Sequence, residues 1–305
     1  MLTGDEKYAE KIWVNLEAAG NFPDWNHMLH YLDTAEMTAA FALGYDWLYD
    51  YWTDEQREFL SKAILKFGVE PALEVYYGGG GNHNYWKKTS DNWSAVCNAG
   101  TVLGAIAIAD DYPEEAFDAI EKAIRSIEYM MVSFAPDGAW VEGITYWDYT
   151  VNYCVRMFAS LSSALGTDYG LAKVDGFNKT IDFALHMGGN TISNAYHDSE
   201  QYLISASQSM WFAHHLNASD IGKLRIYQKK LNNYSTVIYD LIFYNKEWAG
   251  ATINSPLDAY FRDSEVFAMR TSWEDKSKLY LSAHAGNNNV NHNHIDAGTF
   301  VIDAL

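Results

Sequence analysis

The sequence predicts a mostly α-helical fold that ends in antiparallel β-strands. From residue 5 to about residue 244, apolar residues recur with the helical period, and short turns rich in Gly, Pro or Asp separate the helical runs. Helices joined by short turns lie antiparallel to their neighbours. Near residue 250 the pattern changes to short β-prone segments. We therefore expect a large helical domain over residues 1–250 and the start of a β-domain over residues 251–305.

Two helical runs carry clear boundary signals. In residues 54–67, the preceding Thr53 and Gln56 have the spacing of a capping box. Residues 113–134 begin with a proline at the first turn and stop at the Pro-Asp-Gly turn 136–138. Further helices are predicted for residues 7–19, 32–51, 92–109, 146–165, 171–187 and 221–243.

Three strands are predicted after residue 250. They cover residues 266–270, 279–283 and 298–305, and the polar turn 274–277 separates the first two. So few strands cannot bury two sheet faces, and the last residues stop in the middle of a strand. We therefore expect the natural protein to continue beyond Leu305.

Composition narrows the function classes. Aromatic residues make up 15% of the chain, with 11 Trp and 22 Tyr. Flat ring faces stack on pyranose faces and often line sugar-binding clefts, and an aromatic core is the alternative interpretation. The formal net charge of −19 argues against nucleic acid as a partner, because nucleic-acid binding depends on a basic surface. An acidic ligand would need local attraction, for which Lys87 and Lys88 are candidates.

Cysteine usage and hydropathy bear on the environment of the chain. Cys97 and Cys154 lie in apolar helical stretches and are expected to be buried small hydrophobic residues. No apolar run approaches the roughly 18 residues of a membrane span, and no signal peptide precedes the first helix. We expect no membrane association and a cytoplasmic location, or a secreted or periplasmic one if an export signal has been removed.

The first of three segments with chemistry-bearing residues is 82–93. Amides, an imidazole, indoles and ammonium groups gather there at the start of a predicted helix. Helix starts favour anions through their unpaired N–H groups and the macrodipole. Asn92 could instead be an ordinary first-turn residue, with Asp91 or Ser90 as the N-cap.

The second and third segments are 137–149 and 287–296. Tyr146 and Tyr149 are three residues apart and share a helix face, as ordinary amphipathic aromatics also would. The third segment contains five Asn and two His, and in an extended chain His292, His294 and Asp296 would lie on one side. This pattern is typical of part of a metal site or a proton-transfer group, with a polar core network as the alternative.

Together these segments resemble the heparinase II/III-like polysaccharide lyases over nearly the whole chain. The resemblance rests on short motifs whose order and spacing are specific together, namely residues 32–36, 46–48, 92–100, 142–149, 269–273 and 292–300. It implies an incomplete (α/α) toroid of antiparallel helix hairpins, followed by the first strands of an antiparallel β-sandwich. It also implies a lyase that cleaves uronic-acid-containing oligo- or polysaccharides by β-elimination and leaves an unsaturated uronate.

The resemblance assigns roles to individual residues. β-Elimination removes the C5 proton of a uronate, whose acidity rises when its carboxylate is neutralised, and protonates the leaving glycosidic oxygen. By the resemblance, Asn92 holds the carboxylate and Tyr146 returns a proton to the leaving oxygen, or in some members also acts as base. His292 completes the site as base or carboxylate neutraliser. The expected substrate-binding residues are Trp93, Lys88, Glu142, Trp147, Tyr149 and Arg270.

The resemblance further implies a structural zinc ion. His294 corresponds to one of its ligands, and the other ligands are expected beyond Leu305. Trp93 departs from the family pattern, because several members have a second histidine next to the asparagine. The identity of the proton-abstracting base therefore stays open.

Two other functions remain possible from the sequence. A glycoside hydrolase on a similar helical fold would use paired carboxylates, but it would not explain the His-rich segment. Its candidate carboxylates are Asp33, Glu36, Asp46 and Glu142. A sugar-binding protein without catalysis would keep the aromatic cleft. The sequence indicates neither the oligomeric state nor which uronate glycan is bound.

Overall fold

A computed structural model of the chain describes residues 4–200, 206–232, 236–275 and 277–304. The described chain is mostly helical and carries a small antiparallel four-stranded sheet near its C-terminus. It divides into two compact units. Unit 1 comprises Met1–Met130 with Arg156–Leu171, and unit 2 comprises Met131–Val155 with Ala172–Leu305. The domain boundary near residue 250 stays a prediction.

Unit 1 is built from helices that match the predicted runs, except for the short helix Glu70–Tyr76, which was not predicted. They are α1 (Lys7–Gly20), α2 (Tyr31–Trp47), α3 (Asp54–Ile64), α4 (Glu70–Tyr76), α5 (Asn92–Ala107) and most of α6 (Pro113–Met131), and α7 (Ile144–Leu165) ends there. The predicted capping box of α3 is confirmed, since Thr53 Oγ1 accepts from the Gln56 backbone at 3.2 Å and Gln56 Oε1 accepts from the Thr53 backbone at 3.0 Å.

The run predicted at residues 54–67 is interrupted by a π-helical turn, Leu65–Val69, before α4. Gly68 lies in this turn against α2, where an added Cβ would come within 2.4 Å of Thr38 Oγ1. The run predicted at residues 32–51 ends earlier, at Trp47, because the chain folds back and Trp52 donates its indole N–H to the Gly44 carbonyl at 2.9 Å.

Helix α5 forms the interior of unit 1. Every residue from Ser94 to Ala105 is buried, so the helix is enclosed on all sides. It lies close to α2 at Gly100, where an added Cβ would lie 2.4 Å from the Ala35 carbonyl oxygen. The glycine therefore lets the two helix backbones approach closely.

The described part of unit 2 contains the start of α7, four shorter helices and the sheet. The helices are α8 (Thr180–Met187), α9 (Ser209–His215), α10 (Ser219–Asn232) and α11 (Ile238–Ile242). The helix predicted over residues 171–187 is wrong in its first half, which consists of two 3₁₀ turns, Leu171–Lys173 and Phe177–Lys179, with Gly176 between them at φ 84°. The run predicted at 221–243 corresponds to α10 and α11, between which residues 233–235 lie outside the described residues. Helix α9 was not predicted.

The sheet has the strand order β1-β2-β3-β4, with every neighbouring pair antiparallel. The three predicted strands are confirmed as β2 (Val266–Arg270), β3 (Leu279–His284) and β4 (Thr299–Ala304), and the short β1 (Ala259–Phe261) was missed. Side chains alternate between the faces. One face is buried in unit 2, and the other exposes the apolar side chains of Tyr260, Met269, Leu279, Phe300 and Ile302.

Strands β2 and β3 bind the C-terminal end of α8. Arg270 donates from Nη2 to the carbonyls of Leu185 at 3.2 Å and His186 at 3.1 Å. The Tyr280 hydroxyl donates to the carbonyls of His186 at 3.0 Å and Met187 at 3.1 Å. These bonds satisfy helix carbonyls that have no partner within the helix. Burial lowers the pKa of Arg270 to about 10.

The expectation for the cysteines is confirmed. Cys97 and Cys154 are both buried and free, and burial raises the pKa of each thiol. Among the helices of the described residues, none combines the length and the apolar character that a membrane span requires.

Replacing Gly100 with alanine tests the close contact between α2 and α5. We expect Gly100→Ala to lower the free energy of unfolding by roughly 1–3 kcal/mol, because the added methyl group meets backbone atoms of Ala35 that cannot move independently. Gly250→Ala is the matched control, since an added Cβ there meets nothing within 4 Å. Urea denaturation of the three proteins measures the difference, and equal midpoints for both variants would contradict the proposed contact.

Candidate functional site

Three segments of unit 2 meet at the start of α7. They are the loop that leads into the helix, residues 196–200, and the loop between β3 and β4. Gly143, at φ 89°, makes this approach possible, because an added Cβ would lie 2.3 Å from Ser199 Oγ and 2.7 Å from the Tyr196 carbonyl oxygen. Thr145 Oγ1 also accepts from the Glu200 backbone N–H at 2.8 Å.

The Glu142 carboxylate joins two of these segments. Its side chain is buried, Oε2 accepts from the Trp140 indole N–H at 3.0 Å, and Oε1 accepts from Asn291 Nδ2 at 2.6 Å. A buried carboxylate is stable only when donors replace its lost hydration. The pair of bonds therefore ties the β3–β4 loop to the start of α7.

His292 is held against Tyr146 by this arrangement. The two rings are stacked, with centroids 3.7 Å apart and planes at 17°. His292 Nε2 lies 4.0 Å from Glu142 Oε1. The backbone of His292 has φ 59°, a conformation that residues other than glycine adopt rarely and that is often found where a side chain must be aimed at a site.

Asp198 orients both histidines of the His-rich segment. Its Oδ2 is 3.0 Å from His292 Nδ1 and its Oδ1 is 2.6 Å from His294 Nε2. The hydrogen bond from His292 lowers the pKa of Asp198, so the carboxylate is ionised at neutral pH. Because an ionised carboxylate only accepts hydrogen bonds, His292 must carry its proton on Nδ1 here, and its Nε2 presents a lone pair when the ring is neutral.

The phenol of Tyr146 is kept in its protonated form. Burial raises its pKa, and the negative charges of Asp198 and Glu142 raise it further. The stacked pair therefore combines a neutral hydroxyl donor with an imidazole whose tautomer is fixed by a carboxylate. These are the parts needed for paired proton donation and acceptance at neighbouring atoms.

A second cluster supports the loop from behind. Asp296 Oδ2 accepts from the His197 backbone N–H at 2.6 Å, and its Oδ1 lies 3.3 Å from His197 Nδ1 and 3.6 Å from His284 Nδ1. Tyr196 stacks on His284 with centroids 4.3 Å apart. Burial lowers the pKa of both histidines, so both are neutral at neutral pH.

The expectation that His292, His294 and Asp296 share one side of an extended chain is wrong. Residues 288–298 form bends and turns, with left-handed backbone at His292 and at Gly298, where φ is 94°. His292 and His294 both face Asp198, whereas Asp296 faces His197 and His284. The turns separate the three side chains into two clusters.

The other predicted residues of unit 2 lie around this site or in the interior. Trp147 is buried, and its indole donates to Thr180 Oγ1 at 2.8 Å. Tyr149 is half-buried and packs edge-on against Tyr153. Arg270 is buried against the end of α8, with its guanidinium 3.9 Å from the centroid of the Trp273 ring. The contacts of Trp147 and Arg270 are structural, and their role in substrate binding stays a prediction.

The predicted residues Asn92, Trp93 and Lys88 belong to unit 1. Asn92 is the buried first residue of α5, after the N-cap Asp91, whose Oδ1 accepts from the Trp93 backbone at 3.1 Å. The Lys88 ammonium lies 5.9 Å from the centroid of the Tyr129 ring. The convergence of Asn92 with Tyr146 and His292 around one sugar ring stays a prediction.

The zinc prediction depends on His294, whose side chain is 57% exposed and bonded to Asp198. Across the described ranges of the chain, no three His, Cys, Asp or Glu side chains are arranged to hold a metal ion. His294 and Asp198 alone are too few to hold a zinc ion, so the zinc ion stays a prediction.

Sequence reasoning missed Asp198, His197 and the bridging function of Asn291. His197 and Asp198 lie almost a hundred residues before the His-rich segment, in a stretch without helical or strand periodicity. Their one signal was a His-Asp pair among small and polar residues. That pair gains significance only after the fold brings it to the β3–β4 loop.

The Glu142 bridge can be tested by a charge-neutral substitution. In Glu142→Gln, the side-chain amide would place a donor against either Trp140 or Asn291, which are both donors. We expect the free energy of unfolding to fall by about 1–3 kcal/mol, since one buried hydrogen bond is replaced by an unsatisfied contact. Glu200→Gln, at an exposed position, should change it by less than about 0.5 kcal/mol. Chemical denaturation measures both, and an unchanged Glu142→Gln protein would rule out the bridge.

No protein-family model matches this sequence, and a comparison with curated proteins finds no significant match.

Proposed function

We propose that this protein is a polysaccharide lyase that cleaves uronic-acid-containing glycans by β-elimination. The observation that carries the proposal is the stacked pair of Tyr146 and His292, with the imidazole oriented by Asp198. Such a pair offers a proton acceptor and a proton donor close together. β-Elimination needs both at adjacent carbon atoms of one sugar.

In the proposed reaction, His292 accepts the C5 proton of the uronate through Nε2. The hydrogen bond from Nδ1 to Asp198 stabilises the imidazolium that forms, because the carboxylate is ionised. The electron pair of the broken C5–H bond forms the C4–C5 double bond, and the C4–O bond to the leaving sugar breaks.

The leaving oxygen takes the proton of the Tyr146 hydroxyl. The raised pKa of Tyr146 keeps that proton in place at neutral pH until the leaving oxygen develops negative charge. The tyrosinate then recovers a proton from the neighbouring imidazolium, directly or through water, and both groups return to their starting states. The products are a shortened glycan and a glycan that ends in an unsaturated uronate.

Asn92 is proposed to hold the uronate carboxylate, as the resemblance implies. Its side-chain amide supports this role, because an amide N–H is a neutral donor that can bond to a carboxylate. Neutralising the carboxylate makes the C5 proton more acidic. Acidic oligo- or polysaccharides are accordingly the proposed substrates.

The finer fold is also proposed: an (α/α) toroid followed by a β-sandwich. The succession of helices joined by short loops supports the toroid, because such helices pack antiparallel to their neighbours. The sheet supports the sandwich, since its outer face exposes Met269, Phe300 and Ile302 at 45%, 66% and 60%. An apolar sheet face of this kind is normally covered by a second sheet.

The exposed sheet face should bind a hydrophobic dye in the chain of residues 1–305. We expect Phe300→Lys with Ile302→Lys to lower the fluorescence of bound 8-anilinonaphthalene-1-sulfonate, because the charges interrupt the apolar surface. Val14→Lys, at an exposed position of α1, is the control and should leave the signal unchanged. Equal dye binding by all three proteins would show that the sheet face is not an open apolar surface.

The lyase proposal is tested by absorbance of the unsaturated product in the ultraviolet, with heparan, hyaluronan, chondroitin and alginate as substrates. We expect Tyr146→Phe to lower kcat by about 10²–10⁴-fold on the preferred glycan, since the phenol proton is lost. Tyr169→Phe removes an exposed hydroxyl elsewhere and should leave kcat unchanged.

Asp198→Asn separates orientation of the imidazole from general acid catalysis. It should lower kcat by about 10-fold or more through loss of the correct tautomer and of charge stabilisation. Full activity of Tyr146→Phe would refute the mechanism. Cleavage without ultraviolet absorbance would instead indicate a hydrolase.

A further inference from the structure

Unit 1 carries a cluster of four aromatic rings at the start of α5, formed by His30, His83, Tyr85 and Trp93 and called here the aromatic platform. Trp93 is its centre. His83 stacks on Trp93 with centroids 5.5 Å apart and planes at 14°, His30 meets it edge-on at 4.9 Å, and Tyr85 lies at 5.3 Å.

Three elements hold the platform in place. Asp91 caps α5 and fixes the backbone of Trp93. Gly81, at φ 63°, lets the glycine-rich loop before His83 pass close to the chain at Met28, since an added Cβ would lie 3.1 Å from the Met28 carbonyl oxygen. His30 is anchored because its Nδ1 lies 2.9 Å from Asp33 Oδ1.

The rings are clustered yet accessible. Tyr85 is 44% exposed, the side chain of His30 is 47% exposed, and Trp93 and His83 are half-buried. A cluster that served only as core would bury its rings, as Trp86 does beside it at 0%. His83 Nδ1 is buried and has no hydrogen-bond partner among the described residues, so the buried edge of this ring carries an unsatisfied polar atom.

The charges around the platform are negative. Asp33 borders it through His30 and Asp91 through the backbone of Trp93. The two nearby ammonium groups are directed elsewhere, because Lys87 donates to the Val75 carbonyl and Lys88 lies over Tyr129. A uronate carboxylate on the platform would meet negative charge without a cation. A sugar ring without a charge would not be repelled by these carboxylates.

We propose that the aromatic platform is a subsite for an uncharged pyranose ring. The apolar C–H face of the sugar stacks on exposed aromatic faces, and its hydroxyl groups bond to imidazole nitrogen atoms. The inference rests on the proposed function in one respect: it assigns the lyase to glycans in which uronates alternate with uncharged sugars, rather than to homopolymers of uronate.

Isothermal titration calorimetry of the chain carrying Tyr146→Phe, which prevents turnover, tests the subsite. The probes are chitohexaose, whose sugars are uncharged, and hexaguluronate, whose sugars are all uronates. We expect chitohexaose to bind and Tyr85→Ala to weaken its binding about threefold to tenfold. Tyr8→Ala removes an exposed ring on α1 and should leave the Kd unchanged.

Trp93→Ala and Trp93→Phe provide a second pair, because the phenylalanine keeps a stacking face. We expect Trp93→Phe to bind chitohexaose more tightly than Trp93→Ala. Absence of chitohexaose binding, or binding that Tyr85→Ala does not change, would overturn the subsite. Binding of hexaguluronate that is weakened by Tyr85→Ala as strongly as that of chitohexaose would overturn the preference for an uncharged ring. None of these readouts requires lyase activity, so a failed lyase assay leaves the test of the platform intact.

Discussion

The buried carboxylate of Glu142 is the constraint on which the unit 2 site depends. Its two oxygen atoms need donors, and the fold supplies one from Trp140 on the same loop and one from Asn291 on the β3–β4 loop. Because Asn291 immediately precedes His292, the bond that satisfies the carboxylate also brings the imidazole onto the Tyr146 ring. The need of the buried Glu142 carboxylate for hydrogen-bond donors thus determines where the imidazole of His292 lies.

Nearby carboxylates have different effects on the two stacked rings of Tyr146 and His292. They raise the pKa of Tyr146 and so retain its proton, whereas the hydrogen bond to Asp198 fixes the tautomer of His292 and leaves Nε2 as the acceptor. The left-handed backbone of His292 is the conformational cost of aiming its ring in this way. A hydroxyl donor and an imidazole acceptor thereby lie next to each other.

If the substrate is acidic, as we propose, this strongly acidic chain has to bind the charged and uncharged sugars of the glycan in different chemical environments. The proposed carboxylate position is the side-chain amide of Asn92, a neutral hydrogen-bond donor. The aromatic platform of unit 1, bordered by carboxylates, is suited to a ring without charge. The net charge of −19 is therefore compatible with the proposed glycan that contains uronates.

Sequence alone determined what local physics can determine: the helical periodicity of α1 to α3 and α5 to α7, the capping box at Thr53, the strands β2 to β4 and the burial of both cysteines. The family resemblance supplied Tyr146 and His292 as candidate partners, which the tertiary structure stacks on each other. Tertiary structure decided the rest. Gly176 interrupts a predicted helix through its positive φ and its closeness to Phe134. Hydrophobic periodicity reveals neither of these features. Asp198 became the partner of His292 because the chain folds back across almost a hundred residues. Periodicity reports which face of a segment is apolar, whereas hydrogen bonds between distant loops depend on where the backbone places each polar atom.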